Sequence, residues 1–258
     1  MSMKGVIMKK LFSFDTRGGG RTLSSNKGFT LAEVLVTLGI IGVVSAMTVP
    51  SLMQNHQRKT YATQLHQVYN LLSQAFLEYT TDKNAINLQE AGLTSTEAVI
   101  EFFNKYFKLA SSCSEFTDCF AASYKNQSGT ELAQSSLWVS SDVCNVLANG
   151  AAVCMEHSKF HSATYGDVSV PYGHITIDIN AKKGPNIAGR DLFIITYYTD
   201  GSMDEDGVPP QCKTDGKCGS GKTSAKDVRN ALASACTSGT AAKGCFGLLL
   251  NSGWEMNY

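Results

Sequence analysis

Residues 29–52 run for 24 positions with Glu33 as their only ionisable side chain. At about 1.5 Å per residue a helix of that length spans roughly 36 Å, enough to cross a bilayer. No second apolar run of this length follows in the remaining 206 residues. The chain is therefore expected to have one membrane-length helix near its start and its bulk on one side of it.

Charge is divided unevenly about this helix. Residues 1–28 hold six basic side chains (Lys4, Lys9, Lys10, Arg17, Arg21, Lys27) and one acid, Asp15. The remainder carries 16 basic and 21 acidic residues, a net charge of −5 hidden by the zero of the whole chain. Basic flanks stay in the cytoplasm, so the N-terminus is expected in the cytoplasm and the bulk of the chain outside it. All eight cysteines (Cys113, Cys119, Cys144, Cys154, Cys212, Cys218, Cys236, Cys245) lie after the helix, and their even number suits an oxidising compartment. They are disulfide candidates that fall into four sequential pairs, although eight cysteines allow many connectivities. A zinc site built on them lacks any CxxC or a histidine at finger spacing.

A secretory signal places its small-residue cleavage site after the apolar region. Here the order is inverted, with Arg21, Thr22, Leu23, Ser24, Ser25, Asn26, Lys27 and Gly28 preceding the apolar run. Cutting at Gly28 would leave the membrane helix on the mature protein. The stretch Lys27, Gly28, Phe29, Thr30, Leu31, Ala32, Glu33, Val34, Leu35 resembles the class III signal of the type IV pilin and type II secretion pseudopilin family. That resemblance implies removal of residues 1–28 by a membrane-bound prepilin peptidase and N-methylation of Phe29 to methylphenylalanine. It further implies that Glu33 is kept as a buried acid pairing with a neighbouring subunit's Phe29 amine during fibre assembly. Pro50 falls where many family members bend the helix. The matching stretch covers about a fifth of the chain.

The helix is expected to continue past the membrane. Tyr61, Leu65, Val68, Leu72, Phe76 and Tyr79 recur at helical spacing, with polar residues between them and an end at Asp82, Lys83 and Asn84. Pro50 has no amide donor and crowds the preceding turn, so a bend or a locally melted turn is expected at 48–51. Gly39 and Gly42 would let membrane helices approach closely. The domain plan is thus a leader at 1–28, a transmembrane and assembly helix at 29–52, its amphipathic half at 53–82 and an extracytoplasmic head at 83–258.

In the head, Thr94 and Glu97 have capping-box spacing, and Val99, Phe102, Phe103, Tyr106 and Phe107 then predict a short helix over 95–109. This aromatic density reads as core packing, since single-strand binding also needs a basic groove. Residues 111–150 predict irregular structure and short strands around Trp138. Alternation over 174–179 and 191–198 predicts an antiparallel hairpin with a long loop, and the string DINAKKGPNIAGRDLF between them resembles the sheet region of pilin-like heads. A helix is expected at 224–236, with Cys236 and Cys245 tying down the tail. The fold class is α+β: a long N-terminal helix on a small antiparallel-sheet head, pilin-like and disulfide-stapled.

Residues 200–207 hold four acids. Ser202, Asp204, Asp206 and Gly207 fill EF-hand positions one, three, five and six, but Lys213 stands where the bidentate Glu belongs. Calcium at Asp204 and Asp206 is the minor reading and a solvated acidic turn the main one. His157 and His161 lie at the spacing of one helical turn without an adjacent motif, and Tyr165, Tyr172 and His174 read as packing residues. No catalytic constellation can be assembled, so an enzyme is not expected. The function implied is a structural subunit, a pilin or pseudopilin of a type IV pilus or type II secretion-like fibre, with other subunits as partners. The alternatives are a fibre-borne adhesin or DNA-uptake minor pilin, or a single-pass envelope protein that never polymerises. A net charge of −5 disfavours nucleic acid, although Lys213, Lys217 and Lys222 would form a local basic patch.

Overall fold

The computed structural model describes residues 28–137, 142–156, 160–239 and 242–258. The leader up to residue 27, Trp138 and His157 lie outside the described residues. Helix α1, Leu31–Asp82, is 52 residues long and carries Pro50 inside it. The helix runs unbroken through 48–51, so of the bend or locally melted turn expected there the melted turn is absent.

The chain divides into two compact units at Val49 and Pro50. In the first, the apolar side chains of α1 are exposed, Leu35 at 60%, Ile41 at 61% and Val43 at 58%. Among the described residues this is the one helix long and apolar enough to span a membrane.

In the second unit, α1 buries Ala62, Leu65, Val68, Leu72, Ala75, Phe76 and Tyr79. This is the stripe read from the sequence except for Tyr61, which is only half-buried, with Ala62 and Ala75 added to it. Helix α2, Thr96–Tyr106, starts at an N-cap, Ser95, whose hydroxyl accepts from the Ala98 amide at 3.2 Å. It adds Val99, Phe102 and Phe103 to the same core. The Phe76 ring stacks on Phe102 at 5.5 Å and on Tyr197 at 5.5 Å, joining both helices to the sheet.

That sheet is antiparallel. Its ordered path comprises β1 (Leu109–Cys113), β4 (Asp142–Leu147), β5 (Ala152–Glu156), β7 (Val168–Asp178), β8 (Leu192–Tyr198) and β9 (Met203–Asp204). Strand β6, His161–Tyr165, pairs with β7 off this path. Between β1 and β4 lie helix α3, Phe116–Cys119, and a small ribbon of β2 (Tyr124–Lys125) and β3 (Glu131–Leu132). The β7–β8 hairpin pairs Asp178 with Leu192 and Tyr172 with Tyr198. Ile175, Ile177, Phe193 and Ile195 face α1, whereas Cys154, Leu192 and Ile194 face a second core made with Phe120, Tyr124 and Leu137. Both faces are covered, and all seven residues of β8 are buried.

Two glycines are dictated by close approach. A Cβ at Gly173 would sit 2.5 Å from the Tyr197 ring of its cross-strand partner. Gly189 has φ +80° and its Cβ would meet Cys245 Sγ at 2.4 Å. Beyond the sheet, α4 (Pro210–Thr214), α5 (Ala225–Ala231), α6 (Ala233–Ser238) and α7 (Cys245–Asn251) complete the head. The single helix expected at 224–236 is two, because the chain turns at Leu232, the cap shared by α5 and α6.

The packing yields a direct test. Phe76→Ala should lower the unfolding free energy by about 3–5 kcal/mol, whereas Leu77→Ala, 69% exposed, should change it by no more than about 0.5 kcal/mol. Denaturant titration of the detergent-solubilised chain, followed by near-ultraviolet circular dichroism, measures both.

Candidate functional site

The functional residues read from the sequence cluster at the start of α1. Gly28 and Phe29 precede the helix, and Phe29 is 88% exposed. Thr30 caps the helix reciprocally with Glu33. Its amide and its hydroxyl each donate to Glu33 Oε2 at 2.8 Å, and the Glu33 amide donates to Thr30 Oγ1 at 3.2 Å. This is a capping box, and it places the only acid of the apolar run at the positive end of the helix dipole. Thr30 and Glu33 stand at the capping-box spacing, so this contact was readable from the sequence. A Cβ at Gly28 would touch nothing within 4 Å, so no local packing demands glycine there.

The comparison with known families falls on this same segment. Residues 23–49 match the prokaryotic N-terminal methylation motif. Such a motif is typical of type IV pilins and pseudopilins, and it implies processing by a prepilin peptidase. Together with the apolar helix it suggests a membrane stage followed by a pilus stage. The long helix on an antiparallel sheet with four disulfides is a pilin-like α+β fold. No curated protein and no solved structure matches the chain.

The eight cysteines are bonded as Cys113–Cys119, Cys144–Cys154, Cys212–Cys218 and Cys236–Cys245. Each closes a short loop, which by chain entropy stabilises by about 2–3 kcal/mol. Cys144 and Cys154 are cross-strand partners in β4 and β5, while Cys236–Cys245 joins α6 to α7.

The acidic turn is not solvated as the sequence suggested. Asp204 and Glu205 are each 1% exposed. Asp204 receives Arg229 in a two-pronged contact, Nε to Oδ1 at 2.9 Å and Nη2 to Oδ2 at 2.6 Å, and Lys213 Nζ lies 2.8 Å from Oδ2. Glu205 accepts from the amides of Gly244, Gly247 and Asp206. The partners of these acids come from residues up to 42 positions away, which local sequence does not display. Calcium at Asp204 would have to displace a guanidinium and an ammonium. Asp206 lies 3.8 Å from Lys243. Lys217 pairs with Asp167, so two of the three lysines of the supposed basic patch are already engaged.

His161 lies on a strand rather than a helix. It faces Glu156 and His174. His161 Nε2 is 2.5 Å from Glu156 Oε1, and His174 Nδ1 is 3.2 Å from Oε2. Burial raises the Glu156 pKa, but the hydrogen bonds with His174 and His161 outweigh it and hold the carboxyl below its usual value.

Two other carboxyls move the opposite way. Burial pushes Asp178 up to about 8, against hydrogen bonds from Tyr124 Oη and the Asn180 amide. Burial likewise lifts Glu205 to about 7 against its amide donors. Both bind protons more readily folded than unfolded, so their stabilising effect is complete below the unfolded carboxyl pKa and fades as pH rises through the folded values. The melting temperature should therefore rise as pH is lowered from about 8.5 to about 5.5, and Asp178→Asn should flatten that slope. Calorimetry across the window tests this; a melting temperature that climbs with pH there would overturn it.

Proposed function

We propose that this protein is a structural subunit, a pilin or pseudopilin of a type IV pilus or type II secretion-like fibre. The observation that carries the reading is the methylation motif at 23–49 joined to an α1 whose first half buries nothing in the isolated chain. An exposed apolar surface of this length needs lipid before assembly and neighbouring helices after it.

In this reading residues 1–28 are a cytoplasmic leader, residues 29–52 span the inner membrane and residues 53–82 fasten the helix to an extracytoplasmic head at 83–258. Prepilin peptidase cuts after Gly28 and the new Phe29 amine is methylated. Cleavage turns a neutral peptide nitrogen into a cation. Glu33, which caps its own helix through Thr30, then has an oxygen to offer the Phe29 amine of the adjacent subunit. In a lipid-free fibre core an unpaired carboxylate is costly, so the pairing sets the axial register: a slipped subunit leaves both charges unpaired. Pro50 gives the helix a position without an amide donor, where it can bend during extraction and packing.

Mass spectrometry of the mature chain should find methylated Phe29 at the N-terminus. Gly28→Ala should leave the precursor uncut, an effect on recognition since the added methyl meets nothing in the chain. A mature chain that retains residues 1–28 would sink the proposal. Glu33→Ala should be cleaved normally yet enter fibres at about a tenth of the wild-type level or less, read by immunoblot of sheared fibres. Undiminished incorporation would remove Glu33 from the docking step.

A further inference from the structure

Strands β5 and β6 run along the same edge of β7. Residues 152–155 pair with 175–178, and residues 161–165 pair with 168–172. Gly173 and His174 fall between these two blocks, opposite the place where the chain leaves β5 at Glu156 and re-enters at His161. One carboxylate and two imidazoles from three strands therefore converge at one break in the pairing. Their donor atoms all lie within 4.8 Å of one another.

We propose that Glu156, His161 and His174 form a binding site for one divalent transition ion, with zinc the ion its donors suit. Two imidazoles and a carboxylate match zinc and its neighbours, whereas calcium and magnesium require an all-oxygen shell. Bonds of about 2.0–2.1 Å put tetrahedral ligand atoms roughly 3.3 Å apart, so donor atoms that lie within 4.8 Å of one another close on an ion by side-chain shifts of about 1.5 Å or less. The ligands are held from behind. The His174 amide donates to Glu156 Oε2 at 3.0 Å, and Tyr197 Oη donates to the Glu156 carbonyl at 3.4 Å. The Tyr172 ring lies 5.5 Å from that of His161 and 5.3 Å from that of His174, walling one side. The side chain of His161 is 51% exposed, which leaves a solvent-facing position for water as fourth ligand.

On binding, the ion takes the place of the hydrogens that His161 Nε2 and His174 Nδ1 turn toward Glu156: a neutral imidazole keeps its proton on its other ring nitrogen, and an imidazolium releases one proton to solvent. Uptake should thus weaken as pH falls below the imidazole range. This site is independent of how the N-terminal helix is used.

Equilibrium dialysis of the full chain in detergent, free of any histidine tag, against micromolar zinc chloride at about pH 7.5 tests the site. One zinc per chain is expected, with affinity lowered about tenfold or more in His161→Ala and in Glu156→Gln, and uptake lost near pH 5.5. His161 is exposed, so its replacement leaves the core intact, and an unchanged melting temperature of the zinc-free variant verifies this. Zinc should also raise the melting temperature of the wild type but not of His161→Ala. Absence of stoichiometric zinc in the wild type, or equal uptake by a chain carrying both His161→Ala and Glu156→Gln, would overturn the proposal.

Discussion

The head depends on the contact of one aromatic side chain. Phe76 lies between Phe102 of α2 and Tyr197 of β8, and through it the lower stripe of α1, the short helix and the sheet share one apolar core. A sheet of this size with only one face closed would leave Ile175, Ile177, Phe193 and Ile195 in water. The second half of α1 is what closes it, so the same continuous helix serves as a structural wall of the head and as the carrier of the apolar segment. The folding of the head and the packing of residues 62–79 within it are coupled through burial, which is the largest favourable contribution available to a chain of this composition.

What the sequence displayed is what period and local chemistry encode. The stripe Leu65, Val68, Leu72, Phe76 and Tyr79 was legible because side chains three and four apart share a face. The β7–β8 hairpin was legible because alternation survives in both strands. Second-face burial of β8 was not, since a strand covered on both sides loses its contrast between polar and apolar positions. The division at Leu232 was missed for a different reason: a single residue ends one helix and starts the next without a proline or glycine to mark it.

Charges were the hardest to place. Asp204 and Glu205 stand in a run of acids that looks solvated, yet their partners Arg229, Lys213, Gly244 and Gly247 come from later helices. Similarly, Glu156, His161 and His174 meet only because β5 and β6 share an edge of β7, a pairing that no spacing announces. Polar groups brought together by topology are invisible to periodicity. At the start of α1 the reverse holds: Thr30 and Glu33 interact across three residues, so the contact is as local as the motif that contains it.

Gly173 leaves a gap in the side-chain row of β7, and the Tyr197 ring lies across it from β8. Glycine weakens a strand by its freedom, and a large ring laid over it excludes water from the exposed backbone. The pair is therefore a lock of two unlike parts: a smaller residue at 197 uncovers the glycine, and a side chain at 173 evicts the ring. In descendants of this chain the two positions are expected to vary together or not at all, since a side chain at 173 would also unseat Tyr197 from Phe76.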